Sequence, residues 1–200
     1  IFSLLVFLYK FLCSKESIDK GILKHKNLLS KTNNENIKND ILEKIKMLEE
    51  IKNKINYNDI KNMSIMNTHG DYSVMQFIYK DNKINAIIDF VSACKTKISW
   101  EIIRSYSYID SKSKEGIIDI NNLISYIKEF SKYVKLNKYD IKYMPYLYLV
   151  KLLTSTYGYK EYINDNTKID LLEFAIFRTK LCRYLFDNAS DISIKLMEAL

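Results

Sequence analysis

Proline occurs once and glycine four times in 200 residues. So few breakers exclude a many-turned β fold and favour long helices. Cysteine occurs three times, as Cys13, Cys94 and Cys182, with no CxxC pair, which excludes the usual zinc-ligand spacing. Each has apolar neighbours, so buried free thiols in a reducing cytoplasm are expected. Histidine occurs twice, too rarely for the usual two-metal phosphoesterase site. His25, between Lys24 and Lys26, reads as a solvated helix residue. No nucleophile elbow is present to serve a Ser or Cys hydrolase. Long hydrophobic runs are also missing. The apolar start, IFSLLVFLYKFLC, reaches Lys10 after about nine residues, too short to span a bilayer, and reads as a buried helix over residues 1–13. With no initiator Met, the chain reads as beginning inside a longer protein.

There is no block of one charge sign either. The 31 basic and 24 acidic residues are interspersed, and no five like charges adjoin. The net charge of +7 accompanies abundant Lys, Asn, Ile and Tyr, the bias of an AT-rich coding sequence. No nucleic-acid partner and no membrane partner is therefore expected. What is present is apolar mass. Hydrophobic residues form 48 % of the chain, enough for a sizeable core in one domain or a large piece of a bigger one.

Helical spacing marks residues 18–29 and 37–55, the latter with apolar side chains at Ile37, Ile41, Leu42, Ile45, Leu48, Ile51 and Ile55. Asp40–Lys44 and Glu50–Lys54 stand at (i, i+4) and are expected to pair. The period then changes. Residues 74–79 and 84–88 are short runs rich in β-branched and aromatic side chains, joined by KDNK, whose Asp81-Asn82 suits a tight turn. From Ser99 the pattern is helical to the end, with Thr96 or Ser99 as a candidate cap. Expected helices cover residues 118–134, 139–157 (containing Pro145), 169–186 and 192–200. Tyr139, Tyr143, Tyr146 and Tyr148 read as core or packing residues. The expected fold is α+β and mostly helical, with one β-hairpin.

The hairpin is the odd element, and its ends carry the distinctive polar residues. Asn67 to Cys94 reads NTHGDYSVMQFIYKDNKINAIIDFVSAC. A hairpin returns the chain to where it started, so Asp89 is expected near Asp71 and Gln76. Two carboxylates and an amide oxygen suit a hard cation such as magnesium, which often retains waters and phosphate oxygens. They also match kinase chemistry, in which one Asp receives the hydroxyl proton while an amide and a second Asp hold magnesium. Singly, each residue has a plainer reading: Asp71 as a turn residue, Asp89 as a cap or loop carboxylate. Those readings do not explain the spacing.

HGDYSVMQ followed by IDFV resembles the aminoglycoside phosphotransferase family of kinase-like small-molecule phosphotransferases, over about residues 68–106. The resemblance implies a protein-kinase-like C-terminal lobe over residues 1–200, whose hairpin carries the catalytic loop. It implies Asp71 as catalytic base, Gln76 and Asp89 as magnesium ligands, and His69 and Gly70 as structural residues of the loop. It implies ATP or GTP as donor, Mg2+ as cofactor, a small-molecule hydroxyl as acceptor and a cytoplasmic setting. Oligomeric state stays open. Glu101 matches an acid that follows the metal Asp in the family.

Two departures accompany it. Gln76 stands where the family has Asn, offering the same amide oxygen on a stem one methylene longer. Nothing before Asn67 supplies a glycine-rich phosphate cover or a strand lysine, and no strand pattern is evident there. The nucleotide-binding N-terminal lobe is therefore expected to be absent from this chain. The competing reading is a non-catalytic pseudo-kinase remnant or scaffold. Glu101, Asp110, Glu115, Asp187 and Asp191 are the candidate contacts for a cationic acceptor, read first as surface carboxylates.

Overall fold

A computed structural model describes residues 13–200, so the helix expected over residues 1–13 lies outside the described residues apart from Cys13. The chain runs α1 (Lys15–Leu29), α2 (Glu35–Lys54), α3 (Tyr57–Lys61), β1 (Ile65–Thr68), β2 (Phe77–Lys80), β3 (Lys83–Ile87), β4 (Cys94–Lys97), α4 (Ile98–Ile109), α5 (Ser111–Lys114), α6 (Ile120–Ser131), α7 (Lys138–Leu153), α8 (Tyr159–Asn164) and α9 (Ile169–Ala199). The architecture is α+β and mostly helical, as composition and periodicity led us to expect.

The helices begin where short polar side chains can take up free backbone N–H groups. Ser14 opens α1 in a reciprocal capping box with Ser17, and Asn34 caps α2 through the amides of Asn36 and Ile37. Asn137 and Asp140 form a second capping box at α7. The apolar stripe of α2 buries Ile37, Ile41, Ile45, Leu48 and Ile51. Helix α7 is buried almost all round and packs chiefly against α9 and α4, which makes it the central helix. Pro145 is accommodated within it, at the loss of one backbone hydrogen bond. Tyr143 and Tyr148 are buried, and Tyr139 and Tyr146 pack against the core.

The β-hairpin forms with the expected turn. Lys80 pairs with Lys83 across Asp81 and Asn82, both at positive φ (51° and 57°), the signature of a two-residue primed turn. Its first strand starts at Phe77, later than expected, because Val74–Gln76 closes a 3-10 turn first. A second ladder was not expected. β1 pairs antiparallel with β4, Ile65 opposite Lys97 and Thr68 opposite Cys94. A strand therefore does precede the hairpin.

Several local readings need correction. Residues 169–186 and 192–200 belong to one helix, because Ala189, Ile192 and Leu196 continue the buried stripe of Cys182 and Leu185. Glu50 and Lys54 pair at 3.6 Å, but Asp40 and Lys44 do not pair. Asp40 accepts from Arg183 at 2.6 Å. Lys44 is buried and donates to the carbonyls of Leu152 (3.3 Å) and Ser155 (3.2 Å) at the end of α7. Burial pulls its ammonium down to a pKa of about 8. His25 is fully buried, not solvated, and its Nδ1–H donates to Gly21 O at 2.8 Å. The three cysteines are buried and free. Among the described residues no helix is long and apolar enough to cross a membrane.

Candidate active site

The β1–β4 ladder closes the base of an excursion over residues 69–93, and Thr68 Oγ1 donates to Cys94 O at 2.9 Å there. The footing is braced from α7. Asp140, fully buried, accepts from Ser64 N (2.7 Å) and Ser64 Oγ (2.6 Å) just before β1, and from Ser99 Oγ (3.4 Å) in α4. Ser99 is thus tied to Asp140 and does not cap α4, and no side chain caps that helix.

The excursion opens with His69-Gly70-Asp71. Glu101, in the first turn of α4 and only 7 % exposed, accepts from His69 N (3.0 Å) and Gly70 N (2.6 Å), one on each carboxylate oxygen. Burial raises its pKa, and these two amides oppose the rise. Gly70 has φ +80°, and a Cβ there would stand 2.0 Å from Ser92 O. Only glycine fits so close a crossing of two backbones. His69 joins the same two segments. Its Nδ1 accepts from Asp71 N at 3.3 Å, so its Nε2–H donates to Ile88 O at 2.8 Å. Its ring lies 4.5 Å from that of Phe90. The residues on either side of Asp89 are therefore both held by His69.

Asp71 is half-buried and both its oxygens are engaged. Gln76 Nε2 donates to Oδ2 at 3.1 Å, and Arg104 of α4 pairs with Oδ1. Arg104 also donates to Tyr72 O at 3.3 Å. Gln76 O accepts from Ile88 N at 3.0 Å, which extends the hairpin toward Asp89. Among the described residues the Gln76 Oε1 has no partner. The Asp89 carboxylate, exposed and carried on a left-handed residue (φ 61°), also takes no hydrogen bond there. Aspartate tolerates that conformation better than most side chains.

The structure thus brings His69, Gly70, Asp71, Gln76 and Asp89 to one end of the hairpin. Gln76 and Asp89 offer one amide oxygen and one carboxylate for a cation. Among the described residues no group of three or more His, Cys, Asp or Glu is set to hold a metal. Two such donors are too few for an all-protein cage, so a hard cation held there would need water or phosphate oxygens as its remaining ligands. The acids proposed for a cationic acceptor are partly spent elsewhere. Glu101 grips the loop, and Asp110 is buried and accepts from Ser113 N (3.1 Å) and Ser113 Oγ (2.8 Å). A cleft of about 680 Å³ lies between the start of α1 and the α2–α3 junction, lined by none of the five loop and hairpin residues.

Sequence reasoning missed Arg104 and the bracing role of Glu101. One signal was available. The chain has only three arginines, Arg104, Arg178 and Arg183, in a lysine-rich composition. Each makes a directed contact that a lysine would make less well: with Asp71, with Ser155 Oγ (3.3 Å), and with Glu43 and Asp40. Compared with protein-family models, with curated proteins and with solved structures, the chain gives no match.

Proposed function

We propose that this chain carries the catalytic loop and magnesium site of a kinase-like phosphotransferase of the aminoglycoside phosphotransferase type. It would act on the hydroxyl of a small molecule with ATP or GTP as donor. The observation that carries this reading is the joint placement of Asp71, Gln76 and Asp89, in which one side chain serves two roles. Gln76 orients Asp71 through its Nε2–H and leaves Oε1 for a cation, while its backbone bond from Ile88 N brings the residue before Asp89 alongside it. Magnesium, when bound there with the nucleotide, would neutralise charge on the phosphates.

Asp71 Oδ2 keeps a second lone pair beside the Gln76 bond and can take a hydroxyl proton. As the hydroxyl oxygen bonds to the γ-phosphorus, the bond from phosphorus to the bridging oxygen breaks. The nucleoside diphosphate leaves with that electron pair, and the proton passes to Asp71 and on to solvent. The contribution of these residues is positioning. Met75 (82 % exposed), Phe90 (52 %) and Val91 (90 %) flank Gln76 and Asp89 with open apolar surface. Such surface suits the face of a nucleotide base or a covering lobe.

A non-catalytic reading is favoured by Gln76 in place of Asn, by the lack of a glycine-rich phosphate cover before Asn67, and by the Arg104 pair that occupies Asp71 Oδ1. Nucleoside-diphosphate release measured with wild type and Asp71→Asn decides between them. The phosphotransfer reading expects turnover where a nucleotide-binding lobe accompanies this chain, and its loss, by about a thousandfold or more, when a folded Asp71→Asn protein is tested in the same way. Equal rates in the two would remove Asp71 from the chemistry.

A further inference from the structure

A wall of cations and rings leads away from Asp71. The Arg104 guanidinium lies 4.6 Å from the Tyr108 ring centroid and 5.7 Å from that of Trp100. The same indole carries the Lys151 ammonium at 5.9 Å. Tyr108 stacks on Phe174 at 6.5 Å, with the ring planes 15° apart. Phe174 meets Tyr157 edge-on at 6.0 Å and carries the Arg178 guanidinium at 5.3 Å. Both routes end in one place, because Lys151 and Tyr157 line a cleft of about 380 Å³ between α1 and the turn joining α7 to α8.

Four lysines surround that cleft: Lys20 and Lys24 from α1, Lys151 from α7 and Lys160 from α8. Its only acid is Glu161, whose Oε2 accepts from Gly158 N at 2.7 Å and so closes the start of α8. Glu16, one turn before Lys20, lies outside the lining. Lys20, Lys24 and Lys160 form no hydrogen-bonded ion pair among the described residues. Thr156 adds a hydroxyl to the same wall, while Thr154 Oγ1 donates to Val150 O (2.8 Å) and Ser155 Oγ accepts from Arg178 (3.3 Å). Like charges gathered around a concave surface raise the local concentration of anions and repel cations. The cleft is also large enough for a small metabolite.

We infer that this cleft binds the phosphate group of the acceptor, so that the substrate is a phosphorylated hydroxyl compound and not a polycationic aminoglycoside. The inference rests on the phosphotransferase reading of Asp71 for the word acceptor, but the anion cleft itself does not. The phosphate would sit among Lys20, Lys24, Lys151 and Lys160, with Tyr157, the outermost ring of that chain of contacts, in the cleft wall.

The test uses amide shifts of the labelled protein titrated with glucose 6-phosphate, with glucose, and with kanamycin. Glucose 6-phosphate is expected to shift Lys151, Thr156, Tyr157 and Lys160 saturably, and the other two compounds are not. Lys20→Glu combined with Lys160→Glu, both at exposed positions, is expected to weaken binding about tenfold or more. Kanamycin binding in the cleft, or phosphate binding indifferent to the lysine variants, overturns the inference. Transfer to a cationic acceptor without cleft binding sinks this substrate class and leaves the phosphotransfer reading standing. Cleft binding without any transfer sinks the phosphotransfer reading and leaves the anion site.

Discussion

His69 Nε2–H donates to Ile88 O at 2.8 Å, which fastens the start of the His-Gly-Asp loop to the residue before Asp89. These residues are far apart in sequence, and the bond makes the two carboxylate-bearing segments one unit. Gly70 against Ser92 and the Gln76–Ile88 backbone bond complete the same joint. The rigidity of this joint is what the first two predictions probe.

Gly70→Ala is expected to destabilise the fold by roughly 2 kcal/mol or more, since it adds positive-φ strain and forces Ser92 aside. Urea denaturation of wild type and variant measures this. A change below about 0.5 kcal/mol, the range of ordinary surface substitutions, would mean that the crossing is loose.

Glu101→Gln keeps one acceptor where the carboxylate had two, and it brings an NH2 group toward a backbone N–H. The expected cost is about 1–3 kcal/mol, the range for a buried donor left unpaired. Amide hydrogen exchange should show His69 and Gly70 losing protection before the helices do. Unchanged protection at both amides would contradict the clamp.

Acid sensitivity is expected from His25. Burial, with Lys44 nearby, lowers its folded pKa to about 4, well below the ordinary value near 6.5. Between those values the unfolded chain binds the proton and the folded chain does not. Stability therefore falls as pH drops from about 6.5 to about 4, by an amount on the order of 3 kcal/mol at the acid end. His25→Leu should flatten this part of the pH–stability curve. A variant with the wild-type pH slope would assign the sensitivity to other groups.

The hairpin was legible because its alternation and Asp81-Asn82 turn are local signals. The β1–β4 ladder was not, because IMNT and CKTK are too short to show a period and their pairing is non-local. His25 was misread from its lysine neighbours. Its spacing from Ile18, Gly21 and Leu28 placed it on the buried face of α1, and that phase outweighs adjacent charge. The gathering of Asp71, Gln76 and Asp89 at one end of the hairpin followed from their spacing plus the return of the chain. Glu101 and Arg104 act from α4, and no local pattern joins them to a loop about thirty residues earlier.

The central claim is that Gln76 and Asp89 hold a divalent cation with a nucleotide. Manganese, which shares magnesium's preference for oxygen donors, reports this directly, because it broadens amide signals close to it. Added with ATP to the labelled protein, it is expected to broaden Gln76, Asp89 and Phe90 first, and Asp89→Ala should remove that effect while leaving the fold intact. Broadening that avoids this end of the hairpin, or that survives Asp89→Ala unchanged, would contradict the account.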